Sequence, residues 1–328
     1  MKTNRFTMLI GMFLLVPIFF FGMSLFNEVQ AAGYPDRPIT LLVPYPAGGL
    51  SDLGARIVAD AMQKHLKQPV VVVNKVGGGG TVGGHSIVTA KPDGYTLGFF
   101  AIQTHTPELY SYFSEAPYSS KDLSPIASIH TAVQGWAVKA EAPWKNLKEF
   151  ADWARKNPGA KIGHPGKNTG AYHSLVTVAN AEKITLVDVP YQGDAPIVPA
   201  ILGDHIPVGI LGIPAVRSLL EAKKVRILAL NLLERADFVP DVPTVLELGY
   251  RFTIHPYLGI VGPKGTSDEV VTKIDETLEK MSKEQDLRNR SNAVGLQVIY
   301  LNNAAYQRTI RQDAQGLTAF FREQGMFK

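Results

Sequence analysis

The chain has 328 residues, 45% hydrophobic and 19% charged, with a formal net charge of +4 and no cysteine. The lack of cysteine excludes disulfides, thiolate metal sites, thiol nucleophiles and a lipid-modified cysteine; the basic residues are dispersed, with no block of the kind that grips nucleic acid. At ~150 residues per domain, the length suits one large domain or two of ordinary size.

Lys2 and Arg5 precede an uncharged apolar run at residues 8–26, which ends at Val29-Gln30-Ala31-Ala32. That order of basic, apolar and small residues predicts a cleavable secretory signal peptide over residues 1–31. An uncleaved anchor is the alternative for a run of this length, but Pro17 and Gly22 break it. No second long apolar run follows, so the exported chain is expected to be soluble.

Residues 39–43 are β-branched-rich and apolar between prolines, which predicts a buried strand. A loop at residues 44–49 follows, then a helix to about Lys67 with Ser51 in the N-cap position. The pattern repeats with a strand at 70–73, a glycine-rich loop at 74–81, a short helix toward Ala90 and a strand at 95–100. A second α/β series begins near Ile129. It has a helix at 147–156 stopped by Asn157-Pro158-Gly159, strands at 161–163, 186–189, 208–211 and 226–230, and a helix at 172–181. A strand at 257–261, a helix at 268–282, a strand at 297–300 and a helix at 304–324 complete the chain. Alternating strands and helices indicate parallel sheets, and two sheets fit better than one. Ligands of such sheets lie beyond the carboxyl ends of the strands.

Enzymatic motifs are missing. There is no Gly-x-Ser-x-Gly elbow and no His-Glu-x-x-His, and the glycine run is not followed by Lys-Ser/Thr as in a phosphate loop. Gly77-Gly78-Gly79-Gly80-Thr81-Val82-Gly83-Gly84 matches a dinucleotide fingerprint only loosely, without an acidic residue closing the next strand. Neither an enzyme nor a cofactor or metal is expected.

Six segments in order carry a family resemblance: Tyr34-Pro35-Asp36-Arg37-Pro38-Ile39; Val43-Pro44-Tyr45-Pro46-Ala47-Gly48-Gly49-Leu50-Ser51-Asp52; Gln68-Pro69-Val70-Val71-Val72-Val73-Asn74-Lys75; Lys91-Pro92-Asp93-Gly94-Tyr95-Thr96-Leu97; Val189-Pro190-Tyr191-Gln192-Gly193; and Val239-Pro240-Asp241-Val242-Pro243-Thr244-Val245. Across the exported chain the sequence resembles the Bug-type substrate-binding proteins of tripartite tricarboxylate transporters. The resemblance implies an α/β, two-lobed periplasmic binding protein fold of type II, with a ligand cleft between lobes joined by crossing strands. It implies a discontinuous first lobe, residues 32–130 plus 255–328, and a second lobe at 131–254. It also implies a periplasmic monomer that captures a small organic mono- or dicarboxylate and hands it to the transporter's membrane components. An extracytoplasmic carboxylate sensor acting with a signalling receptor fits the same residues.

A carboxylate needs preorganised donors, and backbone N–H groups at helix N-termini supply them. Ala47, Gly48, Gly49 and Ser51 in the first loop, and Gly79, Gly80 and Thr81 in the second, are the expected holders of the proximal carboxylate. Asp52 sits among them, either beside the ligand or as a helix-start residue. Gln103 and Thr104 follow the third strand and are placed to reach the cleft.

In the second lobe Asn168, Thr169 and Gly170 stand in the family's ligand loop, with Thr169 the expected hydroxyl donor. Its loss is expected to weaken binding and spare the unliganded stability. His173 reads more readily as a helix-packing residue than as a contact. Gly193 and Asp194 follow; Asp194 either receives a hydroxyl, amine or cation of the ligand or caps the helix beginning at Pro196. The family often carries aspartates where Pro207 and Leu211 stand, so an apolar distal wall that includes Leu211 is expected.

Overall fold

The computed structural model describes residues 33–107, 116–167, 169–251 and 256–323. The expected signal peptide lies outside them. The chain divides into a unit Met1–Gly33 and a unit Tyr34–Lys328, and the fold below belongs to the second. Among the described residues no helix is long and apolar enough to cross a membrane.

Strand β1 (Ile39–Val43) forms where sequence predicts it, with Ile39, Leu41 and Val43 fully buried. It runs parallel to β2 (Val70–Asn74) on one side and to β3 (Thr96–Ala101) on the other. Helix α1 (Leu50–Leu66) buries Ala55, Val58, Met62 and Leu66 at helical spacing and ends at Lys67 in the left-handed conformation. Helix α2 (Thr81–Val88) joins β2 to β3, and α3 (Ile102–His105) is one turn directly after β3.

The long strand β4 (Leu123–Ala132) belongs to the same sheet, although β3 is not its neighbour. Between them lies β10 (Tyr257–Pro263), antiparallel to both, and β11 (Leu296–Leu301) closes the edge, giving the order β11-β4-β10-β3-β1-β2. A second sheet, in the order β7-β6-β8-β5-β9, is built from β5 (Gln134–Lys139), β6 (Ala160–His164), β7 (Leu186–Pro190), β8 (Val208–Gly212) and β9 (Val225–Leu230). Strand β6 is parallel to β7 and β8, whereas β5 is antiparallel to β8 and β9.

One residue, Val133, separates β4 of the first sheet from β5 of the second. Its N–H donates to Gly295 O and its carbonyl accepts from Ile213 N–H, while its side chain packs with Ile213, Leu230, Leu232 and Ala236. The chain returns from β9 to β10 through residues 231–256. Two sheets, each with its own apolar cluster and joined by crossing strands, make a two-lobed α/β fold.

Helices α4 (Leu147–Lys156), α5 (Gly170–Glu182), α6 (Ile197–Leu202) and α7 (Arg217–Glu221) accompany the second sheet. Asn146 caps α4 by accepting from Glu149 N–H, and Ser267 does the same for α8 (Asp268–Ser282) through Val270 N–H. Helix α9 (Gln285–Ala293) was not legible, because it is polar all round and buries only Leu287 and Ser291.

Helix α10 (Asn303–Glu323) departs from expectation. Its first half lies on the first sheet: Asn303 donates to the carbonyls of Pro125 and Ile126, and buried Tyr306 donates to His105 Nε2 at 3.1 Å. Farther along, Leu317 enters the second sheet's core with Trp136, Phe150 and Leu175, and Phe320 lies 4.0 Å from the His173 ring of α5. The helix therefore spans both lobes instead of belonging to the first alone.

Candidate functional site

The parallel strands of both sheets end in loops on which the sequence-predicted residues fall. In the first lobe Val43 leads into a loop whose residues 46–49, Ala47 among them, are exposed. The Asp52 carboxylate fixes its shape. It is 2% exposed and accepts from Gly48 N–H at 2.9 Å, from Asn74 Nδ2 at 2.9 Å and from the Arg56 guanidinium at 2.9–3.0 Å. Asn74 also donates to Tyr45 O at 3.0 Å. Burial by itself raises the Asp52 pKa, but these donors and the Arg56 charge outweigh it and hold the group below the usual aspartate value. Asp52 is therefore a scaffold of the loop, and the Gly48 N–H is turned toward it instead of toward a ligand.

Helix α1 begins two residues before the sequence suggests. Gly49 is its N-cap and provides no side-chain cap, so Ser51 stands inside the first turn, correcting its assignment as the cap. The first helical bond runs from Leu53 N–H to Gly49 O, which leaves the N–H groups of Leu50, Ser51 and Asp52 at an end with no capping side chain. An uncapped helix start of this kind favours negative charge.

The second glycine loop turns by four consecutive positive φ angles, from Gly77 to Gly80, a path that only glycine follows cheaply. Its donors are largely used within the loop: Thr81 N–H bonds Gly78 O, and Val82 N–H bonds Gly77 O at 3.4 Å. The Gly80 and Thr81 amides are thus turned into the loop itself. A Cβ on Gly80 would stand 3.0 Å from Thr104 Oγ1 and 3.2 Å from Tyr45 OH. These two hydroxyls are 3.1 Å apart, so the first loop, the glycine loop and α3 meet at Gly80. Sequence reasoning singled out Thr104 but missed Tyr45, whose place in the Pro-Tyr-Pro run was the available signal. Gln103 lies on α3, and its side chain is outside the described residues. His105 points into the core, with Nδ1 on Ala101 O at 3.0 Å.

In the second lobe Asn168 lies outside the described residues. Thr169 is the N-cap of α5: its hydroxyl donates to Gly166 O at 2.6 Å and accepts from Tyr172 N–H at 3.5 Å. The hydroxyl proton is committed to the cap, which corrects the expectation of a spare donor; Gly170 opens the helix. Thr169→Ala is accordingly expected to lower the unliganded stability by about 1 kcal/mol, read as a denaturation midpoint, instead of leaving it unchanged.

His164, buried at the end of β6, accepts from Gly166 N–H through Nδ1. Its Nε2 faces Asp188 at 3.5 Å, and Lys167 reaches the same carboxylate at 3.2 Å. Burial lowers the His164 pKa, with Asp188 opposing.

Gly193, at φ +92°, has open space around it. Asp194 follows, and its side chain does not cap α6. The cap residue is Pro196, and Ile197 N–H bonds the Asp194 backbone carbonyl. The carboxylate lies instead over Gly212, with Oδ1 buried and lacking a hydrogen-bond partner.

Leu211 is not a wall of the cleft. It is fully buried beneath α6 with Ile197, Ile201 and Val216. Pro207 stands at the opposite end of β8, in a depression of about 350 Å³ with Trp144 and Trp153. The apolar distal wall expected from these two positions is therefore withdrawn. Among the described residues no cluster of acidic or histidine side chains could hold a metal ion.

Residues 54–326 match the model of the tripartite tricarboxylate transporter family receptor. The chain is 30% identical over 302 residues to the UPF0065 protein in the gbd 5′ region of Cupriavidus necator, covering 92% of this chain and 91% of that one. Among solved structures it resembles a TctC solute-binding protein from Polaromonas at a TM-score of 0.78 and 28% identity, covering 88% and 99% of the two chains. It also resembles MatC from Rhodopseudomonas palustris with bound malate, at a TM-score of 0.69 and 26% identity over 87% and 98%.

Proposed function

We propose that this chain, which belongs to the tripartite tricarboxylate transporter receptor family, captures a small organic carboxylate between its lobes and delivers it to a membrane transporter. Family and structural neighbours are receptors and solute-binding proteins, not enzymes. The observation that carries the ligand class is the N-terminus of α1. Three backbone N–H groups stand there without a capping side chain, on a loop held by Asp52 beside the Tyr45 and Thr104 hydroxyls. Such an end attracts negative charge, and its donors are already oriented.

The malate bound by MatC supports the same chemistry. The second lobe contributes its strand ends at His164, Pro190 and Gly212, with the ligand loop that includes Asn168 and Gly170. Closure would bring the two sets of loops together about Val133, and the membrane components would read the closed form. The basic residues, apolar run and small-residue site at residues 1–31 support export to the periplasm.

A thermal-shift screen of mono- and dicarboxylates on the purified protein tests the reading. A true ligand at 100 times its Kd adds ~2.7 kcal/mol of apparent stability. If no organic acid moves the transition while inorganic anions do, the proposed ligand class is wrong.

A further inference from the structure

Asp194 is an acidic residue whose carboxylate is packed against backbone in the second lobe. Its Oδ1 is shielded from water and has no hydrogen-bond partner, and among the described residues no Lys, Arg or His forms an ion pair with it. Its Oδ2 rests on Gly212, where an added Cβ would meet it at 2.7 Å. Burial raises its pKa, and the Gly212 amide only partly opposes that rise.

The position lies at the end of β8, next to the crossing between the two sheets. Gly212 ends β8 and pairs with Gln134, the first strand residue after the crossing at Val133. Withdrawing one carboxylate oxygen from water without a partner is costly, and Asp194 does not recover that cost by capping α6. A cation bearing N–H donors is the complement that removes both the charge and the unmade hydrogen bond.

We propose that the ligand carries a protonated amine besides its carboxylate and that Asp194 binds the amine. This rests on the carboxylate reading above. The two charged ends of such a zwitterion would go to different lobes, the carboxylate to the N-terminus of α1 and the ammonium to Asp194. A ligand held in this way draws the lobes together, because each end finds its partner only when both loops are in reach.

Calorimetric titration of the purified protein with skeleton-matched acids tests the assignment: succinate, malate and aspartate; glutarate and glutamate; butyrate and 4-aminobutyrate. In at least one set the amino acid is expected to bind about tenfold or more tighter than its amine-free partner, the span of a hydrogen bond to a charged group. Asp194→Asn should collapse that ratio to about one.

Equal affinities within every set for the wild-type protein overturn the proposal without any variant. A ratio that persists in Asp194→Asn overturns the role of this residue. If no acid of any set binds, or if butylamine binds as tightly as 4-aminobutyrate, the carboxylate reading itself fails, which is a different result.

Discussion

Below about pH 6.5 the stability of the protein is expected to fall by about 4 kcal/mol per pH unit, the combined effect of three buried histidines at ~1.4 kcal/mol each. Burial lowers the pKa of His105 to about 4 and those of His130 and His173 to about 3. Burial favours the neutral ring in all three, although the bond to Ala101 O pulls His105 the other way. His105 bonds Ala101 O and Tyr306 OH, His130 bonds Ser291 Oγ at 2.7 Å, and His173 packs on the Phe320 ring. The unfolded chain takes up protons at the ordinary histidine pKa, whereas the folded chain does not do so until about pH 4 or below. The contribution is thus fully present above pH 6.5 and is lost as pH falls toward the folded values.

Asp194 acts with the opposite sign, since its raised pKa favours the folded form on acidification, but it is one group against three, and His164, whose pKa burial also lowers, adds to their side. A loss of about 6 kcal/mol by pH 5 rivals the whole stability of an ordinary domain. Urea denaturation at pH 7, 6 and 5, with proton uptake measured by calorimetry, reads the effect. His130→Asn should reduce the slope by about one third, whatever it does to stability at neutral pH. A midpoint that is flat from pH 7 to pH 5 would refute the account.

The elements were legible because their signals are local. The apolar run at residues 39–43 became β1, and helices α4 and α8 begin and end where amphipathic spacing and caps put them. Helix α9 has no apolar stripe and escaped. The site was less legible, because it depends on direction. Glycine content marked both first-lobe loops, yet it could not say that Gly48 N–H points at Asp52, or that Thr81 and Val82 bond back to Gly78 and Gly77. A shift of two residues in the start of α5, from Tyr172 to Gly170, turned Thr169 from a donor into a cap. In β8, alternation puts Val208 and Ile210 on one face and Leu211 on the other. Which face α6 covers is a tertiary fact, and it decides that Leu211 is core.

Asp52→Ala is expected to cost about 3 kcal/mol and to weaken carboxylate binding about tenfold or more. The stability loss comes mainly from Gly48 N–H and Asn74 Nδ2, which lose a buried acceptor; Arg56 is half exposed, so water replaces much of its share. The affinity loss follows because the same carboxylate holds the loop that leads into the first turn of α1. Asp52→Asn should fall between wild type and alanine, since it keeps one acceptor oxygen but turns an amide toward a donor. The lowered pKa of Asp52 sets the pH window. Its stabilisation is present above ~pH 4, the ordinary aspartate range, and is lost as pH drops through the folded value, so wild type and Asp52→Asn should converge in strong acid. Urea denaturation and titration with the tightest carboxylate from the screen separate the two roles. An alanine variant that loses stability but binds as before would show that the ligand does not use the α1 turn, and one that keeps its stability would show that the Asp52 network does not hold the loop.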